Sequence, residues 1–319
     1  MNPKQGSIMH RVGPGLYRRL KAPEASAFMG VLMVLAGSIL VGVSSIFYKL
    51  AVESGVDVNT GGFYRVAIGA VVFLGLRHFS GKPFRIQRRA AWFAVLSGVF
   101  FAIDLSLWHR SIVYVGPGLA TLLGNLQVFF LAAFTAWALK IRLPKSFLPI
   151  SVVGMVGLYL LVGPQWSEGP EQRLGVIIGI IAALSYVGYI LTLRSATLCA
   201  AFDDKLGYLA LIAGVTALLL AALMVLQGSP FRLPGLRATA YVFGYGFLSH
   251  VCGWLLITLG LNRITPARTG LLMLVQPVAA YWMEMILFDR RLSWMQISGA
   301  LITLAAIGLG NAVISQKKK

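Results

Sequence analysis

Acidic residues are scarce: the 319-residue chain has 10 Asp and Glu against 28 Lys and Arg, and charged residues make up only 12% of it. Soluble domains carry about 25% charged residues, so a water-exposed globular fold is excluded. Cysteine is nearly missing. Cys199 and Cys252 stand far apart without a CxxC partner, which excludes a disulfide framework and a cysteine zinc site. The four histidines, His10, His78, His109 and His250, form no HExxH and no i,i+4 pair, so a helical metal site lacks its ligands. Paired aspartates, a nucleophile beside its base and a Gly-Lys phosphate loop are also wanting, which leaves a membrane enzyme without machinery and predicts no bound cofactor.

Apolar residues are abundant instead, at 58%. They fall in runs of about 20, the length that crosses a hydrocarbon core roughly 30 Å thick. Ten spans are expected near 28–50, 61–78, 90–110, 116–139, 146–163, 174–194, 206–227, 238–261, 266–288 and 294–314. The first run is longer than a signal-peptide core and reads as an uncleaved span. Twenty Lys and Arg flank the spans on one side and six on the other, with Lys49 and Arg65 left near or inside spans. The positive-inside rule then places both termini in the cytoplasm. The net charge of +18 is distributed between apolar runs rather than over a soluble face, so it does not indicate nucleic acid. The basic tail, residues 1–27, and the short basic tail, 315–319, carry charges that suit a topology signal or contact with anionic lipid.

The chain repeats itself. Residues 114–139 laid over 263–288 match Pro117 with Pro266, Leu122 with Leu271 and Gln127 with Gln276 at one spacing, and Ser146, Ser151 and Gly163 match Ser293, Ser298 and Gly310 two residues closer. Two units of five spans, 28–163 and 174–314, explain the pattern. Five is odd, so the second copy enters the bilayer from the opposite face, an inverted-repeat layout on which many secondary transporters alternate access.

The tract GPGLATLLGNLQVFFLAAFTAWALKIRLP (116–144), its echo TPARTGLLMLVQPVAAYWMEMILFDRRLS (265–293) and the five-plus-five layout resemble the drug/metabolite transporter superfamily, specifically its EamA-type ten-helix permeases. The resemblance implies an all-α basket of ten transmembrane helices, with the first four of each repeat around a central cavity and the fifth at the periphery. It also implies transport of a small metabolite without naming one. Two features depart from the family pattern: Val128 replaces the proline that follows the mid-helix polar residue, and Asp289-Arg290-Arg291-Leu292 and Lys140-Ile141-Arg142-Leu143 replace its Gly-Glu-Arg-Leu run.

Ionised groups inside an apolar run cost about 2.5–3.5 kcal/mol on insertion scales, so each needs a partner or water. Arg65, Asp104 and Glu284 lie a few residues inside the outer ends of spans two, three and nine, with His109 and Lys49 at the rim. Three readings of Arg65 and Asp104 stand together: a neutralising pair that locks two spans, a vestibule for a charged or zwitterionic solute, and a carboxylate proton relay. Glu284 shares the last. His109 reads as a hydrated rim histidine or a site residue. Trp108, one turn from Asp104, reads as an interfacial anchor or an aromatic wall. Asn125, Gln127, Tyr186, Tyr189, His250, Trp254 and Gln276 sit near mid-span, where polar groups either tie helices together or line a midplane pocket. Pro277 frees the Met273 carbonyl and predicts a kink beside Gln276. Gly175, Gly179 and Ala183 give span six a small-residue stripe for close packing.

These observations predict a secondary carrier of small polar metabolites, an exporter working by alternating access, set against a non-transporting sensor or assembly protein. The expected partners are a small-molecule solute, a coupling proton and membrane lipids, and a homodimer is compatible with them. The expected location is a bacterial cytoplasmic membrane.

Overall fold

The computed structural model describes residues 24–80, 87–139, 144–199, 205–261, 263–264, 269 and 272–316. Spans one to three are α1 (Glu24–Glu53), α2 (Val58–Phe79) and α3 (Arg88–Val115). Span four comes in two pieces, α4 (Pro117–Asn125) and α5 (Gln127–Leu139). Spans five to seven are α6 (Phe147–Glu168), α7 (Pro170–Cys199) and α8 (Lys205–Gln227). Span eight joins α9 (Leu236–Phe243), a π-helix (Gly244–Gly253) and α10 (Trp254–Leu261); α11 (Val275–Leu287) belongs to span nine and α12 (Trp294–Gln316) is span ten. Among the described residues, eight helical stretches are long and apolar enough to cross a bilayer, and Trp294–Gly310 adds a shorter apolar one. The expected span-nine start at Pro266 and the basic tails, up to residue 23 and from 317, lie outside the described residues.

Helix starts follow local chemistry. Asp57 caps α2 by accepting from the Asn59 and Thr60 amides at 2.9 and 3.3 Å. Pro117 occupies the first turn of α4, where a missing amide proton costs little. The turn from α3 into α4 needs a left-handed residue, and Gly116 supplies it at φ 86°. Any Cβ there would also strike the Glu284 and Arg290 side chains.

Packing repeats with the predicted two-fold relation. α1 runs along span eight as α7 runs along α3, and α1 meets α11 as α7 meets α4. Three pairs map onto themselves: α2 with α8, α4 with α11, and α6 with α12. Small residues permit the closest of these approaches. A Cβ on Gly175 or Gly179 would collide with Tyr114, Val115, Leu123 or Ser111, one on Gly37 would collide with Gly253 and Ile257 of span eight, and one on Gly30 with Arg263 just beyond it. The Ser111 hydroxyl adds a 2.8 Å bond to the Gly175 carbonyl across the α3–α7 contact. On the outside, Leu148, Met155 and Tyr159 of α6 are more than half exposed, as an apolar solvent dictates.

Both fourth-of-repeat spans are interrupted at matching places. Span four breaks at Leu126 and span nine at Leu274, immediately before Gln127 and two residues before Gln276. Pro277 sits in the first turn of α11, just past the second break, where its missing amide proton is tolerated. The first break occurs beside Val128, without a proline.

Candidate functional site

Arg65 on α2 lies 6% exposed in the interior, and aromatic side chains surround its guanidinium. Its Nη1 donates to the Tyr245 hydroxyl at 2.7 Å, and the group rests 4.8 Å from the Tyr245 ring centre and 5.6 Å from that of Trp108. The Tyr245 oxygen is also 2.6 Å from His109 Nε2. A guanidinium can only donate, so the tyrosine oxygen accepts from Arg65, and among the described residues His109 Nε2 is the acceptor within reach of its own proton. The proton of the imidazole is then on Nδ1. Tyr48 stacks on His109 with ring centres 4.2 Å apart and donates to the Val58 carbonyl at 3.1 Å. Gly61 and Gly62 make the room, because a Cβ on either would collide with Tyr48 or His109. His109 is therefore an interior residue rather than a hydrated rim one, and Trp108 packs between two core clusters rather than at the interface.

Asp104, one turn below Trp108 on α3, is 8% exposed and makes no hydrogen bond or ion pair among the described residues. The contact pair with Arg65, one of the three readings open from the sequence, is not formed; the two are electrostatically coupled at longer range. Tyr186 and Tyr189 of α7 stand together, with ring centres 5.1 Å apart. Phe101 stacks on Tyr189 at 4.7 Å and on His250 at 6.0 Å. His250 fits beside α2 because position 69 is glycine, and its Nδ1 is buried without a partner. Tyr245 and His250 both belong to the π-helix. Five residues diverge by about 140° on an α-helix, and the i→i+5 pattern of the π-helix brings them nearer to one face.

Gln127 and Gln276 follow the two helix breaks, and each has one buried amide atom without a partner, Oε1 and Nε2 respectively. The Gln276 backbone lies against Gly42 of α1. Asn125 turns back on its own helix and donates to the Thr121 carbonyl at 2.8 Å. Trp254 opens α10 half-buried.

Glu284 is brought elsewhere. Its carboxylate accepts the Gly118 amide at 2.7 Å and pairs with Arg290 at 2.5 Å, while Arg290 also donates to the Val115 carbonyl at 2.8 Å. This latch fastens α11 and the loop after it to the α3–α4 turn. A cavity of about 420 Å³ adjoins it, lined by Lys49, Glu168 and Arg291 among others. A second latch lies at the same end of the bundle. Arg110 donates to Ser106, Asn59 and Gln227 at 2.8, 3.3 and 2.9 Å, and Asn59 donates to Gln227 and Ser229, both at 2.9 Å. Thr60 and Tyr64 extend the fastening to the carbonyls of Pro230 and Phe231 at 2.6 and 2.8 Å.

Sequence reasoning missed Tyr245, Tyr48 and Arg110. The Gly244-Tyr245-Gly246 run in mid-span and the Gly61-Gly62 pair were the available signals, since small residues in a span mark close approach.

Ten spans in two inverted sets of five around buried polar residues define a membrane transporter fold. The model of the EamA-like transporter family matches residues 28–163 and again 173–311, and the chain belongs to that family. No curated protein matches it significantly. Among solved structures, one crystal structure of a protein is similar with a TM-score of 0.60 at 19% identity, covering 92% of this chain and 99% of that one, a likeness of fold alone.

Proposed function

We propose that the chain is a secondary carrier that moves a small polar, zwitterionic metabolite out of the cell by alternating access between its two inverted repeats. The observation that carries this reading is a buried guanidinium and a buried carboxylate, Arg65 and Asp104, held near each other but unpaired. An unpaired ion costs several kcal/mol in the interior, a cost that Asp104 avoids while protonated and that a solute with both charges offsets by pairing with Arg65 and with the ionised Asp104. Trp108, Tyr186, Tyr189 and His250 form the surrounding wall, and Gln127 and Gln276 lie at the helix breaks towards the midplane. The two latches favour a resting state closed at the end they occupy. The basic flanks of the opposite end argue that the closed end is external, in a cytoplasmic membrane with both termini inside.

With Glu284 engaged by Arg290, Asp104 is the carboxylate left to carry a coupling proton. Flux by Asp104→Asn that still follows an imposed pH gradient would refute that assignment. The carrier reading itself is tested by a thermal-shift screen of the purified protein against metabolites, followed by flux of each stabilising compound in proteoliposomes. Stabilisation with saturable flux is expected. A ligand that binds without crossing the bilayer would favour the sensor reading.

A further inference from the structure

We propose that Arg65 is a carboxylate receptor whose aim is set by Tyr245 and His109, so that the solute accepted at this site carries a carboxylate. The proposal deepens the carrier reading and rests on it for its physiological meaning. Arg65 commits only Nη1, to Tyr245. Its Nε is buried without a partner, and Nη2 makes no hydrogen bond among the described residues. Nε and Nη2 form one edge of the planar fork, the edge that binds a carboxylate through two parallel N–H···O bonds. Among the described residues, none supplies that anion. Asp104 stands off without contact, and Glu284 is held by Arg290.

The charge present selects the kind of anion. One guanidinium with one carboxylate at longer range suits a monoanion, whereas a phosphate dianion would be repelled by Asp104 and would lack a second cation in contact. Aromatic faces at Trp108 and Tyr245 on the guanidinium leave its edge, rather than its plane, for the ligand.

Tyr245 and His109 are positioning residues. Because His109 takes the tyrosine proton, a Tyr245 lone pair faces Arg65 and fixes Nη1. Tyr48, stacked on the imidazole and tied to Val58, keeps the ring from turning. Without the hydroxyl the guanidinium can swing across the Trp108 face, and its free edge loses its direction.

The test measures thermal unfolding of the purified full-length protein while titrating benzoate, with benzamide as the uncharged probe of the same shape. Benzoate is expected to raise the midpoint of the wild type and benzamide to leave it unchanged. Arg65→Gln should abolish the benzoate effect, and Arg65→Lys, which keeps the charge but loses the fork, should weaken benzoate roughly tenfold. Tyr245→Phe and His109→Leu should each weaken it roughly tenfold, while His109→Gln, still able to accept the tyrosine proton, should return it to within about threefold of wild type. A purely structural role would lower the unliganded midpoint and leave the benzoate affinity unchanged. No benzoate effect on the wild type, an equal effect of benzamide, or undiminished benzoate affinity in both Arg65 variants overturns the proposal. Benzoate binding without flux of any solute would reject the carrier reading and leave the receptor standing.

Discussion

Arg110 of α3 and Gln227 of α8 are joined by a 2.9 Å hydrogen bond, one residue along the chain from the His109 that supports the Arg65 site. The polar fastening at one end of the bundle is thereby built onto the same helix turn as the buried cluster. Asn59, shared by Arg110, Gln227 and Ser229, ties α2 and the loop after α8 into the same fastening. In the proposed carrier, opening this end would break several polar bonds at once, and a solute bound at Arg65 would act one residue away from them.

Arg110→Ala should shift the population towards opening at this end. Removing the two hydrogen bonds that this charged group makes to other helices, to Asn59 and Gln227, each worth about 1.5–3 kcal/mol, is enough to shift a preference of a few kcal/mol. A single cysteine at Ala102 on α3 should label faster from that face in the variant, by about tenfold. Equal labelling rates would show that the latch does not control access.

The Glu284 latch is expected to be worth stability. Glu284 is fully buried and Arg290 partly so, and removing one partner of such a pair typically costs about 3–5 kcal/mol, less where one member keeps water. Arg290→Ala should lower the unfolding midpoint clearly. Glu284→Gln, which still accepts the Gly118 amide, should cost less than Arg290→Ala, and the reverse order in a thermal scan would contradict the assignment.

Glycine positions separate contact from open space. A Cβ on Gly42 would meet the Gln276 backbone, whereas one on Gly75 meets nothing within 4 Å. Gly42→Ala should destabilise by about 1–3 kcal/mol through overpacking. Gly75→Ala should instead be neutral or stabilising by up to about 1 kcal/mol, from helix propensity. Unfolding midpoints of the two variants in one detergent check the contrast.

Pro277→Ala tests what interrupts span nine. Span four breaks at Leu126 although Val128 follows Gln127, so a proline is not required for such a break. The variant should keep the interruption and retain flux within about threefold, because packing of α1 against Gln276 through Gly42 remains. Complete loss of flux with normal folding would make the proline itself the hinge.

The ten spans and their inverted pairing were legible because lipid as solvent enforces long apolar runs and an odd repeat enforces inversion. Arg65 and Asp104 were legible for the same reason, since a charge in such a run is costly. Tyr245 was not: a tyrosine in a span is ordinary, and its role depends on a π-helical register that composition does not encode. Glu284 shows the opposite difficulty. Burial alone does not separate a carboxylate that fastens a helix start from one that serves a pocket, and its partner Arg290 comes from beyond the helix end. The expected Arg65–Asp104 pair rested on matching depth, which fixes height in the bilayer but not side-chain direction.

The most direct test of alternating access locks the closed end. Asn59→Cys with Ser229→Cys, in a background without Cys199 and Cys252, replaces a 2.9 Å side-chain contact by a bond that oxidant forms and reductant breaks. Solute flux in proteoliposomes should be lost on oxidation and recovered on reduction. Undiminished flux with the cross-link complete would contradict the account.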